Sequence, residues 1–332
     1  MLDPGGIIIS TGRCGSTLLS TLIAQEPQTL SVPESLGPVL SHLALLPPAQ
    51  PVTGARYWSL LSRSHSESEA MSRVGTVLSG LSDHRAERPA ADQGTGERTE
   101  GVPPIMLVTL PRIAARPDLL FAVLAEKVPH FPPQPLGLHH QMLLDLLATL
   151  TGKRRWVERS GASSPVAEPL LRAMPGARIV YLTRDIADTA LSMSKHVSFQ
   201  FALARYEFHV RYDADPYDPG LRSRPMPEAA ELPEVLRRLL PDRITAGALR
   251  DLGRDMTRYE AMCANMMSLA EQAFADLKPR HLHRIRYEDL VLNPAAELTR
   301  LGEFLGFADP ASWAARAARQ VRPPRTSTAR LA

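Results

Sequence analysis

A chain of 332 residues with 44% apolar and 22% charged side chains can bury a substantial core and is too apolar for a disordered polymer. Thirty-eight basic against 35 acidic residues leave a formal charge of +3, too mild for a nucleic-acid binder yet suited to a polyanionic small molecule held locally. Two cysteines, Cys14 and Cys263, exclude a disulfide framework and a cysteine-based zinc site, and their scarcity fits a reducing compartment.

The chain opens on IIISTGRCGSTLLSTLI, residues 7–23, a β-branched run that passes through a two-glycine turn into a helical pattern with Leu18, Leu19, Leu22 and Ile23 on one face. A strand that feeds a helix in this way directs unpaired backbone N–H groups and the positive end of the helix dipole at one spot, which suits phosphate or sulfate. So early a strand leaves no room for a secretory leader, and no apolar run of about 18 residues follows, so a cytoplasmic protein without a membrane span is expected. Residues 36–62 and 103–150 are rich in Leu, Pro, Met and Phe with few acids and read as pocket-building helices, whereas 83–101 are polar, glycine-rich and without period, as in a mobile loop. RRWVERS and ARIVYLTR are short strands, each followed by a helix. Residues 211–227 carry repeated prolines and read as a loop or lid; 242–277 read as one or two helices with Met256, Met262, Met266 and Met267 filling the core. HLHRIRYEDLV is a last strand before the helix PAAELTRLGEFLGF. Strands alternating with helices predict an α/β fold built on a parallel sheet.

The first turn is not that of an ATP-dependent phosphotransferase. Such a loop needs glycine, four residues, then Gly-Lys-Ser/Thr, but Gly15 is followed by Ser16 and Thr17, and Ser10 stands where the first glycine belongs. A magnesium-holding aspartate should end an apolar strand, yet Thr183 and Arg184 precede Asp185, and an arginine there suits another phosphate better than a metal.

TGRCGSTLL resembles the 5′-phosphosulfate loop of sulfotransferases that use 3′-phosphoadenosine-5′-phosphosulfate (PAPS). YLTRDIADTALSMSKH is similar to the 3′-phosphate motif of that family through Arg184, Asp185 and Ser192, and RYEDLVLNPAAELTRLGEFLGF, residues 286–307, to its C-terminal strand and helix. The resemblance leaves residues 36–150 unmatched. It implies a single P-loop-like domain over 1–332, a parallel sheet flanked by helices: the 5′-phosphosulfate loop and base in 1–35, a helical substrate-capping insertion in 36–150, the 3′-phosphate region in 151–210, and a lid, helices and the C-terminal strand and helix in 211–332. The motifs lie closest to the tyrosylprotein and carbohydrate-type branch, and a bacterial soluble member is expected.

PAPS is charged at its phosphosulfate and at its ribose 3′-phosphate, so two anion cradles are needed. Arg13, Cys14, Gly15, Ser16, Thr17 and Leu18 are expected around the first, Arg184 and Ser192 around the second, with adenosine 3′,5′-bisphosphate as the product. Arg184 could instead pair with Asp188, and Ser192 be a solvated helix hydroxyl. Sulfuryl transfer has a loose transition state dominated by positioning and electrostatics, so no metal is expected. Arg13 stands where cytosolic animal members hold lysine, and Arg159 falls at the place of another family lysine and reaches toward the sulfate oxygens, unless it pairs with its neighbour Glu158. The resemblance gives the general base to Glu34, which would otherwise cap the following helix. His196 and His140 are the alternatives, although His139 and His140 sit on an apolar helix face, where histidines more often pack than act as bases; Lys127 and His130 lack the family spacing. The apolar character of the unmatched region favours a small hydroxyl acceptor with an apolar body. A thiol at a helix N-terminus, as at Cys14, is expected to have a lowered pKa. Two rivals remain: a P-loop ATP-dependent phosphotransferase, disfavoured by the absent lysine and aspartate, and a non-catalytic nucleotide-binding scaffold of the same fold.

Overall fold

The computed structural model describes residues 2–40, 49–63, 102–217 and 226–322. The expected loop at 83–101 and residues 218–225 of the proline-rich stretch at 211–227 fall outside them. The architecture is α/β. Five parallel strands, β1 (Gly6–Ser10), β2 (Thr29–Pro33), β3 (Arg155–Arg159), β4 (Arg178–Thr183) and β5 (Leu282–Arg286), lie in the order β2-β3-β1-β4-β5, the P-loop-like arrangement. The first strand is central, and its residues are buried throughout, as expected where helices cover both faces of a parallel sheet.

On one face, Ile8, Val157, Val180, Leu182 and Ile285 meet Leu19, Leu22 and Ile23 of helix α1 (Ser16–Ile23). Two C-terminal helices, α7 (Pro294–Leu305) and α8 (Pro310–Ala318), complete this core with Leu298, Leu301, Leu305 and Trp313. The Trp313 indole also donates to the Leu22 carbonyl across 3.0 Å, satisfying an acceptor at the end of α1. On the opposite face, α2 (Leu136–Leu150) packs on β2 and β3 through buried Leu143, Leu144 and Leu147. Its Asp145 accepts the Trp156 indole N–H at 2.7 Å.

Strand β2 has no counterpart in the expected elements. It is short, sets only Leu30 and Val32 between Thr29 and Ser31 and ends on Pro33, so it lacks the continuous apolar run that marks β1 and β4. As an edge strand it tolerates a proline, which has no N–H to give to a ladder. The pattern over 242–277 resolves into a helix at Ala246–Leu252 and another, α5, at Met256–Ala273, with Met262 and Met266 buried.

The chain divides into two compact units, one comprising Met1–Tyr57, Val108–Asp185 and Met266–Ala332, the other Trp58–Leu107 and Ile186–Asn265. The first holds the sheet. The second holds helices α3 (Ile186–Ser194) and α4 (Val197–Tyr212), where Glu207 pairs with Arg211 at 2.9 Å and with Arg258 at 3.1 Å.

Trp313→Ala removes a buried ring and one of the donors to the Leu22 carbonyl, another being the Gln25 N–H. A loss of about 3–5 kcal/mol is expected, measured by denaturant unfolding followed by far-UV circular dichroism.

Candidate active site

The carboxyl ends of parallel strands are where open α/β sheets bind ligands. Among the described residues four non-glycine ones have left-handed backbone angles, and three of them, Arg13, Glu34 and Ala162, follow β1, β2 and β3 at that edge. Each such angle costs a side-chain-bearing residue about 1–2 kcal/mol and is kept only where the surroundings over-determine it.

After β1, Gly12 at φ +78°, Arg13 at +54° and Gly15 at +95° turn the chain sharply into α1. Left-handed residues beside ordinary ones gather successive amides into a concave nest for an anion, here next to the first free N–H groups of α1. Gly15 is doubly constrained, because a Cβ there would be strained and would also collide with the Tyr287 ring. Tyr287 opens helix α6 (Tyr287–Leu292) directly after β5. Its ring carries the Arg184 guanidinium at 4.8 Å from the centroid, and Arg184 donates to the Arg13 carbonyl at 3.4 Å. Arg184 at the end of β4 is thereby drawn to the loop after β1.

The second group comes from the pairing of β2 with β3. Their parallel register sets Pro33 opposite Arg159, and the Glu34 N–H continues the ladder with a 2.7 Å bond to the Arg159 carbonyl. The side chains follow: Arg159 Nη1 pairs with Glu34 Oε1, and Glu34 Oε2 accepts the Gly161 N–H at 2.9 Å. The Arg159 guanidinium is almost wholly buried, and its Nε has no partner among the described residues, a cost that an anionic oxygen would remove. The turn beyond Arg159 folds back on β1, where Ser163 Oγ accepts the Ser10 N–H at 3.2 Å and donates to the Ile8 carbonyl at 3.4 Å.

Glu158 does not pair with Arg159. Adjacent residues in a strand point to opposite faces, and Glu158, fully buried, faces the turn after β2. Its Oε1 accepts the Ser160 hydroxyl at 2.5 Å, the Ser35 hydroxyl at 3.1 Å and the Leu36 N–H at 3.4 Å. Burial, opposed by the Ser160 bond, and the Glu34 charge push its pKa up to about 7. His140 lies behind Ser35, with Nε2 3.2 Å from the Ser35 hydroxyl and Nδ1 2.9 Å from the Tyr57 hydroxyl. Burial drives the His140 pKa down to about 3. His139 is equally buried, its Nε2 lying 2.8 Å from the Val52 carbonyl.

The sheet edge thus brings Glu34 to Arg159 and Arg184 to the Arg13–Gly15 loop. Ser16, Thr17 and Leu18 form the first turn of α1. Ser192 lies half-buried on α3, and His196 is buried between α3 and α4; both belong to the second unit. Cys14 departs from expectation: it is wholly buried, and loss of water raises its thiol pKa despite bonds to Ser10, Thr11 and the Ser16 amide that lower it. Tyr287 was within reach of sequence reasoning only as part of a strand pattern, and Glu158 only as a partner for its neighbour Arg159. Arg112 gave no signal at all. It lies on a short helix, Leu110–Ile113, packed on β2, and its pKa is lowered by burial and by the Arg159 charge while Glu34 raises it.

Among the described residues no group of His, Cys, Asp and Glu side chains could hold a metal ion, and no helix is long and apolar enough to cross a membrane. Residues 236–311 match the model of the sulfotransferase family, a segment that includes β5, α6 and α7 but not the loop after β1, Glu34 or Arg159. A search of curated proteins finds no match. Among solved structures the chain is similar to a sulfotransferase domain from the curacin biosynthetic pathway, with 17% identity, 92% of this chain and 75% of that one covered, and a TM-score of 0.44. It is also similar to the sulfotransferase domain of the Synechococcus PCC 7002 olefin synthase, with 15% identity, coverage of 93% and 76%, and a TM-score of 0.40. For sulfotransferase STF9 from Mycobacterium avium the values are 13%, 96% and 68%, and 0.38. Likenesses this distant carry no argument of their own. The family match is a statement about one segment: residues 236–311 are similar to the sulfotransferase family, in a chain built on a five-stranded parallel sheet.

Proposed function

We propose that the protein is a cytoplasmic enzyme that transfers the sulfuryl group of PAPS to a hydroxyl of a small acceptor, with adenosine 3′,5′-bisphosphate as the product. The observation that carries this reading is the pairing of Glu34 with a buried arginine at the strand edge that also holds the left-handed Gly12–Gly15 loop. A proton acceptor and an anion-binding guanidinium are what an in-line sulfuryl transfer needs from a protein.

In this reading the amides from Cys14 to Leu18 and the hydroxyls of Ser16 and Thr17 hold the 5′-phosphate, with Arg13 balancing charge on the bridging oxygen. Arg184 and Ser192 bind the 3′-phosphate. Arg159 orients Glu34 while its Nε meets a sulfuryl oxygen. Glu34 takes the acceptor proton as the acceptor oxygen bonds to sulfur; the bond from sulfur to the phosphate oxygen breaks, and its electron pair leaves on that phosphate. The described helices of 108–150 cap the acceptor, whose body is apolar.

If Arg184 reads the 3′-phosphate, adenosine 3′,5′-bisphosphate binds more tightly than 5′-AMP by about 1.5–3 kcal/mol, the worth of a charge-assisted contact. Calorimetry on Arg184→Ala should show most of that difference gone; equal affinity in the unaltered protein overturns the donor assignment.

For Glu34→Gln, turnover should fall by about 10²–10⁴, as for loss of a positioned general base, while the affinity for adenosine 3′,5′-bisphosphate holds. The acceptor must have a high hydroxyl pKa, since a phenol ionises without help. Near-normal turnover would remove Glu34 from the mechanism and turn attention to His196; His140 is already occupied on both nitrogens.

A further inference from the structure

We propose that Glu158 is a positioning residue for Glu34: as the shared acceptor of Ser35, Leu36 and Ser160, it fixes the turn that presents the base, and its ionisation state sets how firmly that turn is held. The proposal rests on the sulfuryl-transfer reading of the site.

The geometry gives Glu158 two neighbours of Glu34 and one of Arg159. Ser35 and Leu36 follow Glu34, and Ser160 follows Arg159, so one buried oxygen ties both sides of the Glu34–Arg159 pair from behind. The Leu36 N–H has a second acceptor in Ser160 Oγ at 3.1 Å, which closes the three segments into one knot. A buried carboxylate in such a knot is costly, and Glu158 Oε2 accepts no bond among the described residues. A core that needed only packing and neutral hydrogen bonds would be served as well by glutamine. The groups bearing on its charge are Glu34, which raises its pKa, and Arg159, which lowers it, with neutral His140 reached through Ser35 and Tyr57 beyond it. Arg112 adds a further positive charge near the Glu34–Arg159 pair.

The sign follows. A pKa raised to about 7 means that Glu158 holds a proton below that pH and is charged above it. Bonds from Ser35 and Leu36 to a carboxylate are stronger than to a neutral acid, so the turn tightens as pH rises through 7. Turnover of the unaltered enzyme should therefore step upward near pH 7. Glu158→Gln copies the protonated form: it should match the unaltered enzyme at pH 6 and fall about five- to tenfold below it at pH 8.5, with the step gone. Acceptor KM and affinity for adenosine 3′,5′-bisphosphate should stay within about twofold, because Glu158 touches neither in the proposed reading.

A second measurement needs no activity. In nucleotide-free protein the ¹³C resonance of the Glu158 carboxyl, identified by its loss in Glu158→Gln, should titrate near 7 and at lower pH in Glu34→Gln, where the neighbouring charge is gone. An unchanged step in the Glu158→Gln profile, or a Glu158 titration indifferent to Glu34→Gln, overturns the proposal. Failure to bind adenosine 3′,5′-bisphosphate in the unaltered protein overturns the sulfotransferase reading instead, and the carboxyl titration still decides whether Glu158 is coupled to Glu34.

Discussion

The candidate site hangs on the hydrogen-bonded register between β2 and β3. Parallel pairing opposite Arg159 at Pro33 leaves the next residue, Glu34, with its N–H on the Arg159 carbonyl and its carboxylate on the Arg159 guanidinium. A slip of one residue would turn every β2 side chain to the other face and place Ser35 where Glu34 now stands. Backbone geometry, more than side-chain attraction, therefore chooses the partner. The attraction alone would be a weak organiser, since drawing a buried guanidinium and a carboxylate out of water offsets much of what their charges gain.

Around that register the first unit places the rest by short reaches. The loop after β1 is forced left-handed by two glycines and one arginine, and Tyr287 at the end of β5 closes over it. Arg184, stacked on the same ring, takes its place from β4. Each strand of the sheet ends in a residue that bears on the site. This explains why the C-terminal segment that matches the sulfotransferase family matters to a loop at the other end of the chain.

The central strand, the loop and the α1 stripe were legible because they are local: a β-branched run, two glycines and leucines at helical spacing lie together in sequence. Strand β2 was not, since a five-residue edge strand with two apolar residues and a terminal proline carries too short a pattern to read. The partner of Arg159 was equally hidden. Its sequence neighbour Glu158 looked available, but strand geometry turns neighbours to opposite faces, so each found its partner in the turn after β2. The Cys14 thiol shows the same limit from the other side: the helix N-terminus was visible in sequence, while the burial that outweighs it depends on tertiary packing.

The contact between Gly15 and the Tyr287 ring couples two positions that evolution could otherwise vary separately. With an aromatic ring seated on the loop, the left-handed turn admits no side chain; with a small residue at 287, steric space at 15 opens, yet the Arg184 guanidinium loses its platform. Change is thus cheap at neither site, and drift in the chain is confined to paths that alter loop, ring and arginine together.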